Sequence, residues 1–169
     1  MRVLGIDPGT SVTGYGAVDA APGSAPSLVE CGVIRTPARD SLSARLRAIH
    51  DELQSVIARL APELIAIEGI FYARNVRTTI VLGHARGVIL LAAEEAGIPV
   101  AEYSPAMVKK TIVGRGAALK PQVGFMVAQL LRLASAPQPA DAADGVALAL
   151  THLLRAAPRA LRPMTRTAR

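Results

Sequence analysis

The sequence predicts an α/β fold built on a mixed sheet, and three observations lead there. Three β-favouring stretches near the N-terminus are joined by short turns, which reads as an antiparallel meander. Two later apolar runs, Leu64–Ile67 and Val100–Tyr103, each come after a helix-period segment, as strands in parallel positions do. Pro and Gly punctuate the boundaries between these segments.

The first strand is Val3-Leu4-Gly5-Ile6, closed by the carboxylate Asp7 and the turn signal Pro8-Gly9. A second strand, Val12 to Val18, starts directly afterwards, and Gly14 and Gly16 open room beside its backbone. Ala20 to Pro26 is a turn, and Ser27 to Thr36 reads as a third strand with Val29, Cys31, Val33 and Ile34 apolar. Ser41 is a fair N-cap for a helix through Leu60. Leu42, Leu46, Ile49, Leu53, Val56, Ile57 and Leu60 form its apolar stripe, while Arg45, Arg47, Asp51, Glu52 and Arg59 read as a solvated face. After Pro62, Leu64 to Ile67 is a strand buried on both faces, ended by Glu68 and Gly69.

Phe71-Tyr72-Ala73-Arg74-Asn75 follows, with Arg77 close behind, in a chain that is only 3% aromatic. Aromatics beside arginines suit base stacking and phosphate contacts, and a Phe71 packed beneath the sheet suits the pattern equally. Val76 to Ala96 is a long apolar helix in which Gly83 and Gly87 sit four residues apart. The pair admits a partner helix or close packing on the chain's own sheet. Val100 to Tyr103 is the fifth strand. Ser104-Pro105 caps a short helix to Val113 that carries Lys109 and Lys110. Arg115 lies in the glycine-flanked turn that follows, and Lys120-Pro121 opens the next helix. A last helix spans Ala140 to Ala156, with Asp141 and Asp144 on one face of its first turns.

The chain of 169 residues is long enough for one domain with a sizeable core, expected over 1–156, and a basic tail, expected to be mobile, over 157–169. The hydrophobic content of 51% excludes wholesale disorder, and no apolar run exceeds Val88–Ala93, too short to span a bilayer. With no leader at the N-terminus, a cytoplasmic location is expected. A single cysteine, Cys31, excludes an internal disulfide and a multi-thiolate metal site. The net charge of +6 makes a polyanion a plausible partner. His50, His84 and His152 lack ligand spacing and read as structural.

Of the 13 acids, four stand in apolar or strand-end settings: Asp7, Glu68, Asp141 and Asp144. Converging carboxylates without His or Cys select hard cations such as Mg²⁺ or Mn²⁺. Two such ions activate water and stabilise a leaving oxygen in phosphodiester cleavage. The only lysines, Lys109, Lys110 and Lys120, then suit phosphate beside an anionic site.

Gly5-Ile6-Asp7-Pro8-Gly9, Ala66-Ile67-Glu68 with Phe71 and Asn75, Gly83-His84-Ala85-Arg86-Gly87, Val108-Lys109 with Val113-Gly114, and Asp141-Ala142-Ala143-Asp144 together resemble the RuvC family of bacterial Holliday junction resolvases. The likeness runs from Arg2 to about Leu154. It implies a ribonuclease H-like fold, a five-stranded mixed sheet with helices on both sides. It also implies a homodimer that places paired nicks across a four-way DNA junction in recombination and repair, leaving 5′-phosphate and 3′-hydroxyl ends, and that works with RuvA and RuvB. By position, Asp7, Glu68, Asp141 and Asp144 would be the catalytic metal ligands, joined by Lys120 as a further catalytic group. Phe71 would stack on DNA near the crossover, Lys109 and Lys120 would stand near the scissile phosphate, and Val76–Ala96 would lie at the dimer interface; Tyr72, Arg74, Arg77, Lys110 and Arg115 are expected as further DNA contacts from their own aromatic or basic chemistry. Two rivals are weighed. A non-catalytic junction-binding module does not need four acids. A nucleotide-binding protein of the actin and sugar-kinase type shares Asp7-Pro8-Gly9-Thr10 but needs a second domain.

Overall fold

The computed structural model describes residues 1–69 and 76–156. Phe71, Tyr72 and Arg74, and the tail expected over 157–169, lie outside the described residues. Strands β1 (Arg2–Asp7), β2 (Val12–Asp19) and β3 (Ser27–Arg35) form the meander. Helix α1 (Leu42–Leu60), β4 (Leu64–Glu68), α2 (Val76–Glu95), β5 (Val100–Tyr103), α3 (Pro105–Val113), α4 (Lys120–Leu130) and α5 (Ala140–Ala156) follow. The five strands form one sheet in the order β3-β2-β1-β4-β5. The pairs β1–β2 and β2–β3 are antiparallel, and β1–β4 and β4–β5 are parallel. The mixed sheet predicted from the sequence is therefore the one observed.

Alternating side chains send the strands' apolar groups to two cores. Leu4, Ile6, Ala17, Ile65 and Ile67 face α1 and α2, where they meet Ile49, Leu53 and Ile89. Val3, Val18 and Ala66 face α3, α4 and α5, where they meet Val108, Val127, Val146 and Leu150. This places helices on both faces, and it explains why β1 and β4 read as apolar throughout. One strand residue departs from expectation. The register slips between Ala17 and Val18, which pair with Glu30 and Leu28. Val29 is the extra residue of that bulge and is 39% exposed.

The helix boundaries follow their caps. Ser41 Oγ accepts from Ala44 N at the start of α1, and Ser104 Oγ accepts from Met107 N at the start of α3. Gln122 Oε1 accepts from Leu119 N at the start of α4. Helix α5 lies flush on β1 and β2. A Cβ placed on Gly14 would stand 1.9 Å from the Asp141 carbonyl oxygen, and one on Gly145 would stand 2.7 Å from the Tyr15 backbone. The room that glycines leave in β2 is filled by the helix that carries two of the candidate acids.

Two arginines of α1 depart from the solvated face expected for them. Arg45 folds back onto the turn after β1, where its guanidinium donates to Thr10 O and Ser11 Oγ. Arg59 pairs with Glu30 of β3, which also accepts from the Tyr15 hydroxyl at 2.9 Å. Long stems let both side chains leave the helix axis and reach the sheet. The histidines are structural where the described contacts reach: His50 Nε2 lies 2.8 Å from Glu95 Oε2, and His152 Nδ1 lies 2.8 Å from the Tyr103 hydroxyl. No described helix is long and apolar enough to cross a membrane.

Candidate active site

Strands β1 and β4 run parallel, with Ile6 opposite Ile67, so their last residues end side by side. Those residues are Asp7 and Glu68. Both follow buried positions by one step of the pleat and so face the α5 side of the sheet. Carboxyl ends of parallel strands are where open sheets collect their functional groups. Helix α5 supplies the other half. Asp141 and Asp144 are three residues apart on its first turns, one above the other on the face that meets β2.

The four acids converge. Asp7, Asp141 and Asp144 each offer a carboxylate oxygen, and those oxygens all lie within 4.8 Å of one another. Asp7, Glu68 and Asp144 also line a cavity of about 190 Å³ with Lys109, Lys120, Pro105, Val108, Val123 and Leu148. Asp7 and Asp144 thus belong to both groupings, Asp141 to the first alone and Glu68 to the second alone. Lys120 is the first residue of α4, and its Nζ donates to Asp144 Oδ2 at 2.6 Å.

The electrostatics express this crowding. Asp7 is pushed from its ordinary 3.8 to about 7. Burial is the main cause, followed by the charges of Glu68 and Asp144, while Lys120 pulls the other way. Glu68 is also raised, by burial first and Asp144 second; Lys120, a hydrogen bond from Asp7, and Lys109 oppose that rise. The Lys120 ammonium is held charged above its usual range, chiefly by its hydrogen bond to Asp144. The sign for stability follows from linkage. Between about pH 4 and 7 the folded chain keeps a proton on Asp7 that the unfolded chain releases, so folding stability falls as pH rises through that window.

This donor set fits hard divalent cations. All the candidate ligands are carboxylates, with no imidazole or thiolate among them, and their mutual repulsion is what a bound divalent ion relieves. Of the sequence-predicted site residues, the structure brings together Asp7, Glu68, Asp141, Asp144, Lys109 and Lys120. Lys110 and Arg115 are exposed and do not line the cavity. Arg77 stands in the first turn of α2. The sequence reading did not single out the apolar wall of Val108, Val123 and Leu148, or the hold of Arg45 on the turn after Asp7. The wall was hidden because its members read as ordinary core.

A five-stranded sheet of this order, with three antiparallel strands followed by two parallel ones and helices on both faces, is a ribonuclease H-like fold. The chain matches the family model "Crossover junction endodeoxyribonuclease RuvC" over residues 3–152. It is 49% identical over 155 residues to the protein of that name from Parafrankia sp. (strain EAN1pec), covering 92% of this chain and 87% of the relative. Among solved structures, it resembles Thermus thermophilus RuvC with a TM-score of 0.85 at 38% identity, covering 92% of this chain and 95% of the other. It also resembles T. thermophilus RuvC in complex with Holliday junction substrate, with a TM-score of 0.84 at 35% identity and the same coverage. The chain belongs to the RuvC family of crossover junction endodeoxyribonucleases.

Proposed function

We propose that this endodeoxyribonuclease resolves four-way DNA junctions by paired, symmetric nicks in recombination and repair, with two Mg²⁺ ions held by Asp7, Glu68, Asp141 and Asp144. Mn²⁺ suits the same ligands. The observation that carries the reading is the convergence of Asp7, Glu68 and Asp144 on one lysine-rimmed cavity, with Asp141 beside Asp7 and Asp144. A binding module has no need of such a costly cluster. The family match argues against the nucleotide-binding rival.

Two such cations, when bound, would supply activation of the attacking water and charge stabilisation at the departing 3′ oxygen, the chemistry that gives a 5′-phosphate and a 3′-hydroxyl. The chain's own groups set the stage for that chemistry. Asp7 and Asp144, common to both carboxylate groupings, would hold the ions together with Glu68 on one side and Asp141 on the other. Lys120 begins on Asp144, within reach of the same oxygens that a scissile phosphate would approach, and offsets phosphate charge there. Lys109 adds a second cation to the rim. The apolar wall of Val108, Val123 and Leu148 lowers the polarity beside the acids, which strengthens charge interactions there. Phe71 belongs to this reading as a DNA contact on the strength of the sequence resemblance, and Tyr72, Arg74, Arg77, Lys110 and Arg115 belong to it by their aromatic or basic chemistry.

Two subunits related by a two-fold axis would cut symmetrically. Helix α2 supports such a dimer. Ile80 is 56% exposed and Leu91 is 53% exposed on it, and a Cβ on Gly87 would meet nothing within 4 Å. That open, apolar, small-residue face favours a partner helix. Cytoplasmic action alongside the RuvA and RuvB branch-migration proteins completes the reading.

The test uses a labelled synthetic four-way junction with Mg²⁺ or Mn²⁺, the chain, and its Asp7→Asn variant. Paired nicks from the first and intact binding without nicks from the second are expected. Binding without cutting by both, across metals and junction sequences, would sink the nuclease reading.

A further inference from the structure

Asp7 is the last residue of β1, and the next four residues turn the chain into β2. The turn has no helix or strand of its own to hold it, yet three successive carbonyls in it are each taken by a donor. Gly9 O accepts from the Thr13 hydroxyl at 2.6 Å. Thr10 O accepts from the Thr36 hydroxyl and from Arg45 Nε, the latter at 3.0 Å. Ser11 O accepts from Thr36 N at 3.1 Å. Arg45 makes two further contacts, from Nε to Thr36 Oγ1 at 3.1 Å and from Nη2 to Ser11 Oγ at 2.8 Å. Thr10, Thr13 and Thr36 are all buried.

One guanidinium therefore bridges three elements: the start of α1, the end of β3 and the turn that leaves Asp7. Its planar fork of donors suits this use, because it fixes direction as well as distance. The opposite side of the hairpin is pinned by Gly14, which pairs with Asp7 across the strands and lies against Asp141. The turn is thus clamped between α1 and α5, with Asp7 at its root. The charges that act on Asp7 are those of Glu68, Asp144, Lys120 and Asp141. Arg45 is not among them, so any effect it has travels through the backbone.

We infer that Arg45 is a positioning residue for the active site, a clamp on the Thr10–Ser11 turn that holds the Asp7 carboxylate in register with Asp141 and Asp144 for divalent cation binding. This rests on the reading of Asp7 as a metal ligand. Ligand carboxylates need placement within about 0.5 Å, and removing a supporting partner costs on the order of 10–100-fold in metal affinity or activity.

The experiment compares the full chain with Arg45→Met, Arg45→Lys, Thr36→Val and Asp7→Asn. Four quantities are read: thermal midpoint, junction affinity in EDTA, Mn²⁺ affinity by titration of its paramagnetic resonance signal, and single-turnover cleavage against Mg²⁺ concentration. For Arg45→Met, Mn²⁺ affinity falls by roughly 10-fold or more, and cleavage falls by a similar factor but recovers in part at high Mg²⁺. Junction affinity stays within about two-fold, because the clamp touches no cavity-lining group. Arg45→Lys rescues only partly, since an ammonium cannot make the fork. Thr36→Val removes the shared hydroxyl, keeps the arginine, and gives a smaller loss in the same direction. Unchanged Mn²⁺ affinity and cleavage in Arg45→Met, with Asp7→Asn inactive, overturns the clamp and leaves Asp7 in its role. Loss of junction affinity with Mn²⁺ affinity intact also overturns it and makes Arg45 a DNA contact. Wild-type Mn²⁺ binding and cleavage by Asp7→Asn overturns the reading beneath both.

Discussion

Gly14→Ala tests whether the approach of α5 to β2 sets the active site. A Cβ there would stand 1.9 Å from the Asp141 carbonyl oxygen and 2.4 Å from its carbon, where ordinary contact begins at 3.4 Å. Relief therefore requires a relative movement of roughly 1.5 Å. Neither side is soft. Gly14 is paired to Asp7 on one side and to Val33 on the other, and the atoms it meets are backbone of the first turn of α5. Overpacking of this kind costs about 1–3 kcal/mol. For a chain of this length that is a melting point lower by roughly 2–12 °C. The second loss is functional, because the residue pushed away is itself a member of the carboxylate triad. A misplacement of about 1 Å can cost on the order of 10²-fold in rate. The assay pairs thermal melting with single-turnover junction cleavage at saturating Mg²⁺, and Gly87→Ala serves as the control for melting alone. Gly87 has open space around it in mid-helix, so alanine there adds up to about 1 kcal/mol of monomer stability without touching the site. A Gly14→Ala protein that melts and cleaves like the parent refutes the reasoning, because α5 would then be free to ride up without moving its acids.

Other outcomes follow from the same site. Without divalent cations at pH 8, Asp7→Asn is more stable than the parent by up to roughly 4 kcal/mol, the equivalent of a shift of about three pH units, and the advantage fades toward pH 4. Mg²⁺ then raises the melting point of the parent and not of the variant; equal melting at pH 8 without metal would count against the strain assigned to Asp7. Lys120→Met lowers cleavage by roughly 10²-fold and moves the rising limb of its pH profile upward, since the charge opposing Asp7's rise is gone. A rate and profile matching the parent would remove Lys120 from the mechanism. Leu91→Glu leaves the monomer folded but shifts sedimentation toward half the mass, and an unchanged dimer would place the interface elsewhere.

Much of this was legible because the relevant signals are local. Each strand announced itself by apolar composition and ended at a turn residue, and each candidate acid stood out by interrupting an apolar stretch. Ser41 and Ser104 marked helix starts to the residue. The less legible part depends on distance in the chain. Nothing about Arg45 in sequence separates it from Arg47, yet the first reaches the turn after Asp7 and the second stays at the surface with Asp51. Glu30 and Arg59 are likewise a pair only in three dimensions. The bulge at Val29 left no composition signal, because valine suits a strand whether it faces in or out. Gly14 and Gly16 signalled that something comes close without saying what. The answer, α5, lies more than a hundred residues away.

That answer links the stability of the fold to its chemistry. Among the described residues α5 is the most deeply buried helix, and it lies directly on the glycines of β1 and β2, with Gly145, Leu148 and Ala149 over Gly5, Asp141 over Gly14 and Val146 over Gly16. The close approach is what brings Asp141 and Asp144 to Asp7. It is also what takes water away from Asp7 and drives its proton affinity up. A bulkier interface would relieve the carboxylate and scatter the triad; the present one accepts a strained acid in return for three oxygens within reach of one ion. The burden falls on the surrounding core, where Val3, Val127, Val146 and Leu150 are fully buried around the same helix. Substitutions in that core should therefore weaken metal binding even where they touch no ligand, whereas equal losses of packing on the α1 side of the sheet, away from the Arg45 clamp and from Ile6 and Ile67, should lower stability alone.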